Sequence, residues 1–480
     1  MQDVLNFIDG RHAPAACGEW LDDVDPATGE TYARVASSEG RDVDRAVAAA
    51  VRAFPAWAAT PAAERSKLLR RLARLIERDL EKLARAESID SGKPLSAART
   101  VDIPRAVQNF DFFADAVTQF SSEAHPTDEV ALNYTLRQPL GPVACISPWN
   151  LPLYLLTWKI APALAAGNCV VAKPSEVTPM TAHLLGALAA EAGLPPGVLN
   201  IVQGMGPRAG GPLCAHPEVR AISFTGSTRV GGEIAREAAR SFKKVSLEMG
   251  GKNPTLIFAD ADLDEAIPQT VRAAFSNTGQ ICLCGSRILV ERSIHDEVRD
   301  QLVERVRALR VGDPLQPDTE QGALVSRQHF DKVMGCLALA RQEGGRVLCG
   351  GARATVPGRC AGGFFVQPTL IEGLGPSCQT NQEEIFGPVA TLLPFDGAEE
   401  AVRLANSTRY GLAASLWTRD LSRAHRVSAQ LHSGIVWVNC WMLRDLRTPF
   451  GGVKESGVGR EGGMDALRFF TEPKNVCVKL

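Results

Sequence analysis

The chain reads as an α/β protein with two parallel-sheet regions. Three observations predict this: short apolar runs alternate with helix-period stretches between Gly141 and Leu247, a second alternation follows Gly250-Gly251, and 480 residues exceed what one core usually holds.

Each element follows from its own pattern. Residues 42–90 should be helical, because Leu68, Leu69, Leu72, Leu75, Ile76, Leu80 and Leu83 recur at three- and four-residue steps with Arg, Lys and Glu between them. From Gly141, the run Val143-Ala144-Cys145-Ile146, a helix-like stretch to Ala166, the stop Gly167-Asn168 and the run Cys169-Val170-Val171-Ala172 make a βαβ unit. Further apolar runs at 198–202, 221–224 and 245–247 are separated by helical patterns and should extend a parallel sheet covered on both faces. Beyond Gly251, a run at 255–258, a helix through Ala274 and a run at 288–290 predict a second α/β domain. The polar stretch between Phe120 and Thr135 interrupts the pattern, and the tail 475–480 alternates apolar and polar residues. Both are expected as strands that pair outside the main sheets, with another subunit. The expected division is 1–119 with 140–250 as one domain, 251–465 as a second, and 120–139 with 466–480 as pairing strands.

Composition narrows the partners. Hydrophobic residues make up 45% and charged residues 22%, an ordinary soluble balance. With 52 basic against 54 acidic residues, there is no overall electrostatic reason to expect nucleic acid or anionic lipid. No stretch approaches the ~18 apolar residues of a membrane span, and the start Met1-Gln2-Asp3-Val4-Leu5-Asn6 lacks a basic leader, so a cytoplasmic location is expected. Twelve cysteines without CxxC pairs or Cys/His clusters point to neither a disulfide framework nor a metal site.

Three segments carry chemistry. Gly279-Gln280-Ile281-Cys282-Leu283-Cys284-Gly285 places a cysteine between glycines that allow close approach, just before an apolar strand. A lone cysteine is more often a core filler. Glu248, in Leu247-Glu248-Met249-Gly250-Gly251-Lys252-Asn253, ends an apolar strand, where a carboxylate is expensive to bury unless it is functional or paired, with Lys252 for instance. In Ile146-Ser147-Pro148-Trp149-Asn150-Leu151-Pro152 two prolines stiffen a loop around one amide, which can donate to an oxyanion or simply form an Asx-turn.

Together these segments resemble the aldehyde dehydrogenase superfamily, in which oxyanion amide, general base and nucleophile follow in that order. Lys173-Pro174-Ser175-Glu176, Phe224-Thr225-Gly226-Ser227, Glu383-Glu384-Ile385-Phe386-Gly387-Pro388 and Pro449-Phe450-Gly451-Gly452 extend the resemblance over essentially the whole chain. It implies a Rossmann-type NAD-binding domain, an α/β catalytic domain, a small β element for homodimer or homotetramer assembly, and Asn150, Glu248 and Cys282 as catalytic residues.

Two glycine patterns are decoys for the cofactor site. Gly457-x-Gly459-x-x-Gly462 fits a dinucleotide fingerprint but has no strand before it and reads as a flexible loop, and Gly204-x-Gly206 fits only in part. The resemblance instead implies NAD contacts from Ile146, Ser147, Trp149, Lys173, Ser175, Glu176, Gly206, Phe224, Gly226, Ser227, Gly250, Glu384 and Phe386. The pyrophosphate is expected near Ser227, where Thr228 opens a helix. Glu176 facing a ribose 2′-hydroxyl would repel a 2′-phosphate, which favours NAD over NADP.

Asp102-Ile103-Pro104-Arg105 and the segment Trp441 to Phe450 resemble the muconic semialdehyde dehydrogenase branch. That implies Arg105 and Arg444 as the pair holding a substrate carboxylate, with Arg447 a weaker neighbour, since guanidinium groups bind carboxylates through two parallel hydrogen bonds. As surface arginines they would only form ion pairs. The implied substrate is 2-aminomuconate 6-semialdehyde, of tryptophan or aminophenol breakdown, with 2-hydroxymuconate semialdehyde of catechol cleavage as the alternative. The Cys282-Leu283-Cys284 run and residues 148–160 favour the amino type, the ending 475–480 the hydroxy type. Rival readings are a CoA-acylating semialdehyde dehydrogenase, against which Glu248 counts, and a catalytically silent binding protein on the same fold.

Overall fold

Strands that are apolar along their whole length need cover on both faces, and the first half of the chain supplies it. The computed structural model describes residues 2–480. Its eight-stranded sheet runs, from edge to edge, Gly457–Val458, Lys244–Glu248, Ala221–Thr225, Pro142–Ile146, Cys169–Lys173, Leu199–Ile201, Asn6–Ile8 and Arg11–Ala13. The five central strands are parallel, and antiparallel pairs close both edges. Every residue of Pro142–Ile146, Cys169–Lys173 and Ala221–Thr225 is buried. Helix Pro152–Ala165 is buried at all of its positions, as an all-round apolar helix must be. The helical region expected at 42–90 is three helices, Gly40–Ala59, Ala62–Arg78 and Leu80–Ser91. The first break falls at Thr60, which takes an extended conformation before Pro61, as the proline ring requires of the residue preceding it.

In chain order, Pro142–Ile146 is the first of the five parallel strands and Ala221–Thr225 the fourth, yet they lie side by side. Their following segments therefore leave in opposite directions and open a crevice beyond their carboxyl ends, the usual ligand position in such sheets. Ser147 and Gly226 sit at its two lips.

The second sheet has seven strands, in the order Arg346–Cys349, Thr369–Glu372, Val389–Phe395, Arg287–Glu291, Pro254–Ile257, Ala413–Trp417 and Ile435–Val438. All are parallel except the first. The polar stretch and the tail form a separate antiparallel sheet of Ala124–Thr127, Ala131–Pro139 and Thr471–Lys479, on which Leu132, Leu136 and Val478 are exposed. A further small sheet, Gln2–Val4, Glu30–Ala36 and Trp20–Asp25, was not foreseen. No helix among the described residues is long and apolar enough to cross a membrane.

Two expectations need correction. Residues 466–469 are not strand: they end helix Gly463–Phe469, whose Ala466 and Leu467 are buried in the core of the first sheet. The glycine-rich 457–462 segment is not a free loop either, because Gly457–Val458 pairs with Leu247–Glu248 and so ties this segment to the strand that carries the candidate base.

Candidate active site

The candidate nucleophile stands on a forced turn. Helix Leu263–Phe275 ends at Ser276, and Asn277, Thr278 and Gly279 follow in left-handed conformations with φ of 51°, 55° and 69°. A Cβ on Gly279 would lie 2.0 Å from the Gly387 carbonyl oxygen, so only glycine fits there. This turn delivers Cys282, half-buried, to the wall of a cavity of about 620 Å³ shared with Asn150, Glu384 and Phe386. Asn253 Nδ2 clips the loop by donating to the carbonyls of Cys282 at 2.7 Å and Cys284 at 3.0 Å. Burial first, then the Glu384 and Glu248 carboxylates, push the Cys282 thiol up, while Arg444 pulls it down. The resting group is therefore the neutral thiol.

Glu248 ends the strand Lys244–Glu248 and is 3% exposed, with no hydrogen-bond partner for either carboxylate oxygen. Burial and the nearby Glu461 raise it well above the usual glutamate range, against the opposing Lys159 and Arg460. Lys252 is not its ion-pair partner: that ammonium is itself buried without a hydrogen bond and is lowered, chiefly by burial, to about 8. Lys159 bonds Glu461 at 2.6 Å and Ser223 at 3.2 Å. Backbone alone closes over the base, since a Cβ on Gly451 would come within 2.7 Å of Glu248 Oε1. The Asn150 amide is buried and donates through Nδ2 to the Gln280 carbonyl at 2.9 Å. That bond uses one amide hydrogen and fixes the plane, leaving the second free for a developing oxyanion.

The crevice between the strand ends continues from the Cys282 cavity into another of about 570 Å³. Every cofactor residue expected from the sequence lines one of the two: Ile146, Ser147, Lys173, Gly206 and Phe224 the second, Gly250, Glu384 and Phe386 the first, and Trp149, Ser175, Glu176, Gly226 and Ser227 both. The lining suits a dinucleotide. The Ser147 and Thr225 hydroxyls are buried without partners, the state of groups that await a polar ligand. Cβ atoms on Gly226 and Gly250 would strike the Phe224 ring at 2.4 Å and Glu384 Oε2 at 2.1 Å. Helix Thr228–Ala239, capped by Ser227, aims its N-terminus at the crevice, where backbone N–H groups favour a pyrophosphate. Lys173 Nζ holds Glu176 Oε2 at 3.1 Å. At the other end Glu384 Oε1 accepts from the Gly251 N–H at 2.9 Å, and Phe386 packs edge-on to Trp149. His329, which sequence reasoning missed, donates through Nε2 to the Phe386 carbonyl at 2.6 Å. Burial lowers it to about 4, so it is a neutral donor at physiological pH.

Arg105 and Arg444 come together from distant segments. Arg444 bonds the Tyr154 hydroxyl at 2.7 Å and stacks on Phe450, and both guanidinium groups lie over the Trp158 ring. Arg105 also faces Tyr154, with its Nε and Nη2 buried and without partners. Burial lowers Arg105 and the like charge of Arg444 lowers it further. Arg447 is excluded from this pair because it binds Asp445 at 2.6 Å. Tyr154, Lys159 and Glu461 were also missed: the first two lie in an almost wholly apolar helical run, and no spacing marks the third.

The aldehyde dehydrogenase family model matches residues 13–476. The chain is 52% identical over 477 residues to the 2-aminomuconic semialdehyde dehydrogenase of Danio rerio, covering 99% of this chain and 98% of that one. It is 48% identical over 486 residues to the 2-hydroxymuconic semialdehyde dehydrogenase of Pseudomonas sp. strain CF600, covering 100% of both. An aldehyde dehydrogenase from Bacillus cereus, solved as its NAD+ complex, superimposes with a TM-score of 0.97 at 40% identity, covering 100% of this chain and 97% of that one.

Proposed function

The chain belongs to the aldehyde dehydrogenase family and is an NAD-dependent oxidoreductase, and from that premise we propose that it oxidises a carboxylate-bearing muconic semialdehyde, 2-aminomuconate 6-semialdehyde foremost, through a thioester on Cys282. One observation carries the substrate class: two half-buried guanidinium groups share a site, and neither is paired with a carboxylate of this chain. Like charges held together unpaired are unfavourable, and an incoming carboxylate relieves both through parallel hydrogen bonds. Identity of 52% to an aminomuconic relative against 48% to a hydroxymuconic one supports the amino form first.

The residues divide the work as follows. Cys282 Sγ loses its proton to solvent and, as thiolate, bonds the aldehyde carbon, whose carbonyl electron pair moves to oxygen, while the free Asn150 amide hydrogen and the Cys282 backbone N–H stabilise the oxyanion, each donor contributing about 3 kcal/mol. NAD, when bound, supplies the hydride acceptor, and Glu176, Ser227, Glu384 and Phe386 would hold it. As the aldehyde hydrogen leaves, the oxyanion collapses to the Cys282 thioester. Glu248 then takes a proton from water, which attacks the acyl carbon and releases the acid and the thiol. The exposed three-stranded sheet is the surface we assign to pairing with a second copy, in a homodimer or homotetramer.

NADH formation from the semialdehyde, set beside an unbranched aldehyde of equal length without a carboxylate, tests the substrate reading. A kcat/KM higher by about 100-fold or more for the semialdehyde is expected, a gain typical of charge-paired recognition. Equal values would overturn it.

The base makes a second prediction. Glu248→Gln should keep the first turnover and slow release, giving an NADH burst followed by a slow steady state. A base acts only when ionised, and Glu248 is raised, so kcat should climb with pH along a limb well above the 4.5 of an ordinary glutamate. Glu461→Gln removes the second raising influence and should move that limb to lower pH. A kcat–pH profile of the two enzymes checks this.

A further inference from the structure

The main-chain carbonyl of Asn150 is gripped from two sides. Lys93 Nζ donates to it at 3.0 Å and Asn277 Nδ2 at 3.0 Å. Asn277 Nδ2 also reaches the Gln280 carbonyl at 3.3 Å, the same oxygen that receives the Asn150 amide. One side chain thus ties the amide-bearing loop to the nucleophile loop, and it does so from a left-handed backbone position that asparagine tolerates and most residues do not.

Lys93 is 1% exposed and ion-paired with Asp102, and Glu87 stands 4.0 Å away. Glu87 in turn accepts from the Leu153 N–H at 3.3 and 3.4 Å and from the Thr181 hydroxyl at 2.8 Å. Leu153 lies in the first turn of helix Pro152–Ala165. The buried ammonium therefore holds the carbonyl at one end of the Asn150–Leu153 segment, and a buried carboxylate holds an N–H at the other. A buried ion pair such as Lys93 with Asp102 contributes little net stability compared with apolar residues of similar volume, so stability alone does not account for placing it against the Asn150 carbonyl.

We propose that Lys93 and Asn277 are positioning residues for the oxyanion hole. By fixing the Asn150 carbonyl they set the orientation of its side chain and direct the free amide hydrogen at the substrate oxygen bound next to Cys282. The inference rests on Asn150 being the oxyanion donor. Loss of either grip should misdirect the amide without altering the cofactor crevice, so kcat falls while KM and NAD affinity stay.

The test is a double-mutant cycle on the full enzyme, with NADH production and NAD binding as readouts. Asn277→Gly keeps the left-handed backbone and removes the donor; Lys93→Met/Asp102→Asn removes a charge pair together, and Lys93→Arg restores a donor. Asn277→Gly should lower kcat about 10-fold with NAD affinity unchanged, and should lower it less than about twofold further in an Asn150→Ala background. Lys93→Arg should recover most of what the Lys93→Met/Asp102→Asn enzyme loses. If the Lys93 variants do not fold, the Asn277 cycle decides alone. Equal losses with and without the Asn150 side chain overturn the positioning role and leave Asn150 as donor. Full turnover of Asn150→Ala itself overturns both.

Discussion

Cys282→Ala is expected to lower NADH production by about four orders of magnitude or more, leaving NAD affinity unchanged, because no other group can form the covalent intermediate. The neighbouring thiol cannot substitute. Cys284 is buried away from that cavity and faces the Ser276 carbonyl at 3.9 Å, whereas Cys282 is half-buried on the wall of the cavity that holds Asn150. Cys284→Ala should therefore keep most of the activity. Steady-state NADH assays with both variants check the pair, and comparable losses from the two would point to a packing defect in the shared loop.

The second large effect concerns substrate choice. Arg105→Ala/Arg444→Ala should lower kcat/KM for the semialdehyde by about 1000-fold, since truncating both partners of a charge-assisted site commonly costs several kcal/mol. A neutral aldehyde should change by less than about threefold in the same assay. Stability should move the other way. Both guanidinium groups are half-buried, and the like charge of Arg444 acts on Arg105 more strongly than the offsetting Asp445 carboxylate does, so removing both relieves repulsion, and the melting temperature should hold or rise as activity falls. A variant that lost stability and all aldehyde turnover together would show the arginines to be structural.

How much of this was legible in the sequence depended on whether the signal was local. Runs such as Val143-Ala144-Cys145-Ile146 announce buried strands by composition alone, whereas the helix opening at Thr228 was placed by resemblance and its Ser227 cap is seen only in the fold. Glu248 stood out because a carboxylate closing an apolar strand has few structural uses. Its surroundings were not legible: Lys159 and Glu461 are 302 residues apart and meet only in the fold. The glycines of 457–462 were read as freedom, yet their lack of side chains serves close packing, since a Cβ on Gly457 would lie 2.6 Å from the Leu247 carbonyl oxygen. His329 carries no motif and enters the crevice through a hydrogen bond to a backbone carbonyl 57 residues away. Arg105 and Arg444 were selected by resemblance to a family branch; their shared site on Tyr154 and Trp158 is a tertiary fact that no periodicity encodes.

The covalent step on Cys282 leaves a mass that can be weighed. Glu248→Gln enzyme is mixed with NAD and the semialdehyde, quenched during the slow phase that follows the NADH burst, and weighed intact before peptide mapping. The expected product is an added mass equal to the aldehyde less two hydrogens, located on the peptide carrying Cys282, because oxidation precedes the hydrolysis that this variant has lost. An unmodified Cys282 peptide in enzyme that has just released a full burst of NADH would contradict it.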